Sequence, residues 1–268
     1  MQLLRSLTLT FTLFALIPTA QAEVLWNNWY KITVENGFSG GYYHEKAETK
    51  QGKVYVETKI FRSEEGFVNE EHIGEIAKDS PELTPLFMSI IAKFRTDQLK
   101  IDGTFDGFGV LSVEIEKNGK KLPSFKKNFP RTAILSTTFP IWLKSRLPNI
   151  KGAQSLSFSA IHEESSTDVA HLENGTVRKL EPDAFAKQTG TLKIQVFYLG
   201  ESSTWWVHEK SGIYERIEMP TRKVLVEKTT EDLAKESIGS SKPASSVAPT
   251  SSKPNPAQSK SSSKPKHP

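Results

Sequence analysis

The feature that most constrains this chain is an apolar–polar alternation of period two, repeated segment after segment. In TLKIQVFY, Leu192, Ile194, Val196 and Tyr198 share one side, with Lys193 and Gln195 opposite. SLSFSA sets Leu156, Phe158 and Ala160 against three serines. Leu99, Ile101 and Phe105 follow the same rule, as do Leu111, Val113 and Ile115, and Ile213, Ile217 and Met219. Only an extended strand puts alternate residues on opposite faces. One face then meets a core and the other meets water, which favours antiparallel pairing. Turn dipeptides separate the runs: Asn36-Gly37, Gln51-Gly52, Asp106-Gly107, Asn118-Gly119, Asn174-Gly175 and Ser211-Gly212. Such dipeptides supply the positive φ of tight hairpins. The pattern predicts a mainly β fold, a curved antiparallel meander of roughly ten strands. WYKITV and GYYHEK read as the arms of its first hairpin, with aromatics that widen the cover over the core.

Two segments break the period. In SPELTPLFMSIIAKF, Leu86, Phe87, Ile90, Ile91 and Phe94 are spaced as on one helical face, with Thr84 to cap it and Pro85 in its first turn. STTFPIWLKSRLP reads as a second helix, started by Ser136 or Thr138 and ended at Leu147-Pro148. The sheet is therefore expected to pack on one or two helices. A helix across a curved sheet either fills it or leaves a gap. Phe87, Ile90, Phe94, Phe139 and Trp142 are the candidate lining of that gap, with Met88 beside them.

The two ends read differently from the body. Residues 1–22 have the form of a signal peptide: Arg5, an apolar run too short to span a bilayer, then Ala20-Gln21-Ala22 before an expected mature start at Glu23. From Ser237 to Pro268 the chain is Ser, Pro and Lys without acids or aromatics, so a disordered tail is expected after a β domain spanning 23–236. The tail is a spacer or a cationic arm for anionic envelope polymers or lipid head groups. Without Arg5 and the five tail lysines, the formal charge of +4 becomes −2 for residues 23–236. The body is not a basic nucleic-acid binder. With no cysteine in the chain, stability must come from the core.

No catalytic pattern stands out. Neither Gly-x-Ser-x-Gly nor Ser-x-x-Lys occurs in a fitting context. Glu163-Glu164 reads as a pair near a turn and solvent. The dipeptides His44-Glu45, His162-Glu163 and His208-Glu209 cannot chelate locally, because neighbours on a strand point to opposite faces. They read as polar-face pairs, and neither metal nor cofactor is expected. Trp205 and Trp206 put one indole on each side of a strand.

A leader, the WYKITVENGFSGGYYHE hairpin, the LSTTFPIWLKSRLP helix followed by Lys151-Gly152, and a closing WWVHEKSGIYERIEM together resemble periplasmic half-barrel domains of the lipoprotein-carrier (LolA/LolB-like) superfamily. The order is also similar to the β-domain preceding some periplasmic transglutaminase-like enzymes, although no Cys-His dyad is possible here. The resemblance implies a half-barrel over helices with an apolar cavity able to take an acyl chain. The expected function is that of an exported, non-enzymatic envelope protein binding an apolar or lipid-like ligand. The alternatives are an envelope interaction module with a filled core, and an ancillary domain of an envelope hydrolase.

Overall fold

The computed structural model describes residues 22–35, 40–64, 67–152, 154–164 and 169–239. The leader, the Asn36-Gly37 turn and the tail from 240 onward lie outside the described residues. The first half is a meander of β1 (Glu23–Val34), β2 (Gly41–Lys50), β3 (Lys53–Glu64), β4 (Phe67–Lys78), β5 (Pro85–Phe94), β6 (Asp97–Phe105), β7 (Val110–Lys117) and β8 (Lys120–Lys121). β9 (Phe125–Asn128) pairs back onto β7. A strap then carries β10 (Ile134–Leu135), a 3-10 turn at Ser136–Thr138 and α1 (Phe139–Arg146). The second half runs through β11 (Ser155–Glu163), β12 (Ala170–Lys179), α2 (Ala184–Thr189), β13 (Leu192–Tyr198), β14 (Glu201–Val207), β15 (Tyr214–Met219), β16 (Val224–Thr229) and α3 (Glu231–Gly239).

All sixteen strands belong to one sheet. The two meanders join where β16 pairs with β1, from Trp29 opposite Thr229 to Val34 opposite Val224. Every ladder is antiparallel except β10 on β11, where Ile134 faces Ala160 and Leu135 faces Ile161. The alternating segments are strands as expected, with Ile101, Leu111, Val113, Phe158, Ile194 and Val196 all buried. At Asn118-Gly119 both residues have positive φ, 51° and 77°, as a two-residue hairpin requires.

Three expectations are corrected, the first being the strand count, sixteen among the described residues where roughly ten were expected. Residues 85–94 form strand β5, not a helix. Met88, Ile90 and Ala92 point inward, Phe87 lies on the other face, and Phe94 is 37% exposed at the strand end. Asn174-Gly175 is not a turn but the middle of β12. Gly175 lies opposite Phe158, and a Cβ there would sit 2.2 Å from the Phe158 ring. The glycine makes room for a close approach inside a strand. Residues 136–148 do form a helical segment, with Pro140 in the first turn of α1. It is the single helix inside the sheet among the described residues.

The interior divides into two apolar cores. One gathers Tyr30, Val54, Val56, Phe139, Trp142, Leu143, Phe158 and Ile194 among others. The other gathers Met88, Ile90, Ile101, Leu111, Val113, Leu135 and Ile161. The strap runs between them. On the outer face α2 covers Trp206, whose indole N–H donates to Asp183 at 3.1 Å while Phe185 meets it edge-on at 5.7 Å. Trp205 faces inward against Phe139 and Tyr214. α3 covers Trp29 and Tyr42, with Ala234 fully buried, Lys235 5.2 Å from the Trp29 ring and the Ser237 hydroxyl donating to Gly41 O at 3.1 Å. The boundary expected at 236 thus falls within α3.

The face assignment of β5 is testable by chemical denaturation. Ile90→Ala should cost about 2–5 kcal/mol, as truncation of a buried aliphatic does, and Phe87→Ala should cost less because that ring is on the far side. Large and equal losses at positions 87, 90 and 94 would restore the helical stripe.

Candidate functional site

The most ligand-like feature is a groove of about 680 Å³ beside α1. It wraps the open end of β11: Trp142, Arg146, Leu156 and Phe158 line it on the core side, and Ser157, Ser159, Asn174, Thr176 and Phe197 line it on the opposite face. Local chemistry explains the arrangement. Pro140 suits the first turn of α1. Phe139 and Trp142 stack at 5.7 Å, and Phe158 packs on both, at 4.7 Å and 5.4 Å. β10 pairs with β11 at Ala160 and Ile161, so the start of β11 borders the groove with no described strand beyond it. The volume suits a small organic ligand.

The five candidate lining residues are not brought together. Phe139 and Trp142 sit with Phe158 at the groove, where Trp142 lines it and Phe139 lies in the first core. Ile90 belongs to the second core, while Phe87 and Phe94 are on β5 away from both.

Two buried acidic clusters were missed in the sequence. In the first, Glu45 is 7% exposed and sits beside Tyr30, Tyr43 and Tyr214. The Tyr214 hydroxyl donates to Glu45 at 3.1 Å, and the Tyr43 and Tyr214 hydroxyls are 2.5 Å apart. Burial pushes the Glu45 carboxyl up to about 7, against the pull of hydrogen bonds from Tyr214 and Trp26. The Trp26 N–H finds no partner of good geometry, so its contact with Glu45 is a loose one. The phenols are pushed up as well, first by burial, with Glu45 among the further causes for each.

In the second cluster, Glu75 of β4 is 1% exposed and Glu163 of β11 is 5% exposed. Glu163 is therefore interior rather than solvent-facing, contrary to its reading as a turn residue. The Ser136 hydroxyl donates to Glu163 at 2.6 Å, and the Thr137 hydroxyl donates to Glu75. Burial raises the Glu75 carboxyl well above the usual carboxylate range, and the neighbouring Glu163 raises it further. A signal existed for both clusters. Glu45 alternates with Tyr43 and Ala47, and Glu75 with Ile73 and Ala77, so each acid falls at an inward position once the register is read.

The His-Glu dipeptides split across the sheet. His208 pairs with Glu215 at 2.9 Å and His44 with Asn27 at 2.5 Å. Among the described residues no group of three or more His, Asp or Glu side chains could hold a metal ion, and no helix is long and apolar enough to cross a membrane.

No family model matches the chain, and no curated protein matches it. A crystal structure of a DUF1089 family protein from Pseudomonas aeruginosa is similar at a TM-score of 0.39 and 13% identity, covering 67% of this chain and 90% of that one. Likeness of that degree carries no functional argument.

Glu45 makes stability pH-dependent. An unfolded carboxyl titrates near 4.5, so the native state keeps a proton that the unfolded chain has lost up to about 7. This contribution is complete below the unfolded value and is lost as pH rises through 7, on the order of 3 kcal/mol in all. Glu45→Gln should flatten the fall in urea-unfolding stability between pH 5 and pH 8. An unchanged slope would mean that Glu45 is solvated.

Proposed function

We propose that this chain is an exported, non-catalytic envelope protein that holds an amphipathic, lipid-like ligand in the groove beside α1. The supporting observation is the composition of that groove. Trp142, Leu156 and Phe158 on the core side suit an acyl chain, and beside them the Arg146 guanidinium suits an anionic head, while Phe197 with the hydroxyl and amide groups of Ser157, Ser159, Asn174 and Thr176 offers a mixed surface around the end of β11. In this reading the ligand lies at the mouth of the sheet and not beneath β5. Membership of the lipoprotein-carrier superfamily and a periplasmic location belong to the same proposal, as does a role for the lysine-rich tail against anionic envelope surfaces.

A second reading, an interaction module with a filled core, is favoured by the strap, whose Phe139, Leu143 and Leu147 are buried in the first core.

Titration with a fluorescent fatty acid separates the two. The first reading expects saturable binding, weakened roughly tenfold by Phe197→Ser, since one apolar contact of that size contributes about 1.5 kcal/mol or more. Phe197 is 47% exposed, so the variant should melt as the wild type does. Wild-type protein that binds no probe would favour the interaction module.

A further inference from the structure

The strap is held by polar contacts where apolar ones would be the ordinary choice. Ser136–Thr138 lies at the crossing of β3, β4 and β11. Thr138 is fully buried and spends its hydroxyl on Leu135 O at 2.7 Å. Ser136 and Thr137 give theirs to Glu163 and Glu75, which reach them from opposite halves of the sheet. Oε1 of Glu75 has no hydrogen-bond partner, and the Glu163 carboxyl is near enough to the Glu75 carboxyl to raise its proton affinity. Two carboxyls in that relation need one proton between them, because a buried pair of like charges repels strongly.

We propose that the strap, residues 129–150, is a plug that unseats when Glu75 loses its proton beside the Glu163 carboxyl, opening the space between the two cores beside the groove. The role of the groove in this statement rests on the function proposed above, whereas the plug itself does not.

The surroundings fit a releasable part. Tyr198 from β13, with Glu173 from β12, faces the pair, and each carboxylate raises the cost of ionising that phenol. His162 from β11 meets the Tyr198 ring edge-on at 6.1 Å. The Tyr198 hydroxyl, His162 Nδ1 and the Thr58 hydroxyl are buried without a hydrogen-bond partner. Unpaired polar groups of this kind lower the cost of letting water in. Hydroxyls and the backbone N–H of Ser136, but no cations, meet the two carboxylates from the strap, so ionisation leaves the repulsion only partly compensated there. α1 moves with the strap, and Trp142 and Arg146 move with α1, so unseating alters the groove directly.

Hydrogen exchange on the full chain tests this. Glu75→Gln keeps the shape of the protonated acid and supplies a permanent donor to Glu163. At pH 6 the strap amides of wild type and Glu75→Gln should exchange alike. At pH 9 those of the wild type should exchange about tenfold faster or more, the factor that one unit of proton affinity supplies. Comparison at equal pH cancels the intrinsic base catalysis of exchange. Should Glu75→Gln fail to fold, Glu163→Gln provides the same comparison from the other partner. Equal rates at both pH values overturn the plug. Fatty-acid titration in parallel reads the second half: stronger binding at pH 9 that is absent from the variant supports it. If no probe binds while the exchange pattern holds, the plug stands and the ligand reading fails.

Discussion

The seating of the strap against β11 is the contact on which the rest of the fold depends. Ile134 and Leu135 are neighbours in sequence, yet one enters the first core and the other the second. Ala160 and Ile161 opposite them do the same. This two-residue parallel ladder is therefore apolar on both faces and works as a partition. It lets a sheet of sixteen strands bury its concave side without closing into a barrel. One continuous hydrophobic interior would need the sheet ends to meet, whereas the partition gives each half its own packing surface. It also shields part of an edge strand that would otherwise offer unpaired backbone groups along its length.

The partition carries a polar cost. A strap crossing an interior brings backbone and hydroxyl groups with it, and these need partners. Glu75 and Glu163 supply acceptors from the two halves of the sheet, and so couple those halves through the strap. Replacing such a junction by apolar side chains of similar volume is often neutral or stabilising in proteins. Its presence here therefore calls for something other than maximal stability. Glu45 poses the same question in the first core. There the phenols of Tyr43 and Tyr214 form a relay that satisfies the carboxyl, and the stacking of Tyr30 between Tyr43 and Tyr214, 4.7 Å from each, leaves no room for a ligand. One acidic cluster is thus a packed interior, and the other is a joint between parts.

Much of this was legible in the sequence because alternation of period two has one structural solution. β6, β7 and β13 could be read residue by residue, β11 as far as Ala160, and α1 with Thr138 at its start. β5 could not. LFMSIIA is apolar on both faces of the strand, so alternation vanishes and the spacing imitates a helical stripe. Gly175 misled for the opposite reason: Asn-Gly is a turn signal only where no bulky neighbour needs the space, and here the Phe158 ring does. The candidate site was half legible. Phe139 and Trp142 were found through the helix, but the groove's other wall comes from β11, β12 and β13, whose distance from α1 only tertiary structure sets. The inward position of Glu75 had a signal, but its meeting with Glu163 did not, since the two are far apart in the chain and come together only through the strap.

The pairing of first and last strands adds a final constraint. β1 can complete its place in the sheet only when β16 arrives at the end of the chain, and α3 then lies across the seam over Trp29 and Tyr42. The ladders within each meander are local, while β1 with β16 and β10 with β11 close long loops. Non-local pairings of this kind slow folding, because the entropy of closing the loop is lost before the contacts form. The two meanders can therefore gather their own hairpins first, with the seam and the strap locking last. A contact that forms late between two prebuilt halves can loosen while the ladders inside each half persist. That makes the strap, rather than any sheet strand, the element whose movement leaves the hairpins intact even though it exposes the cores they share.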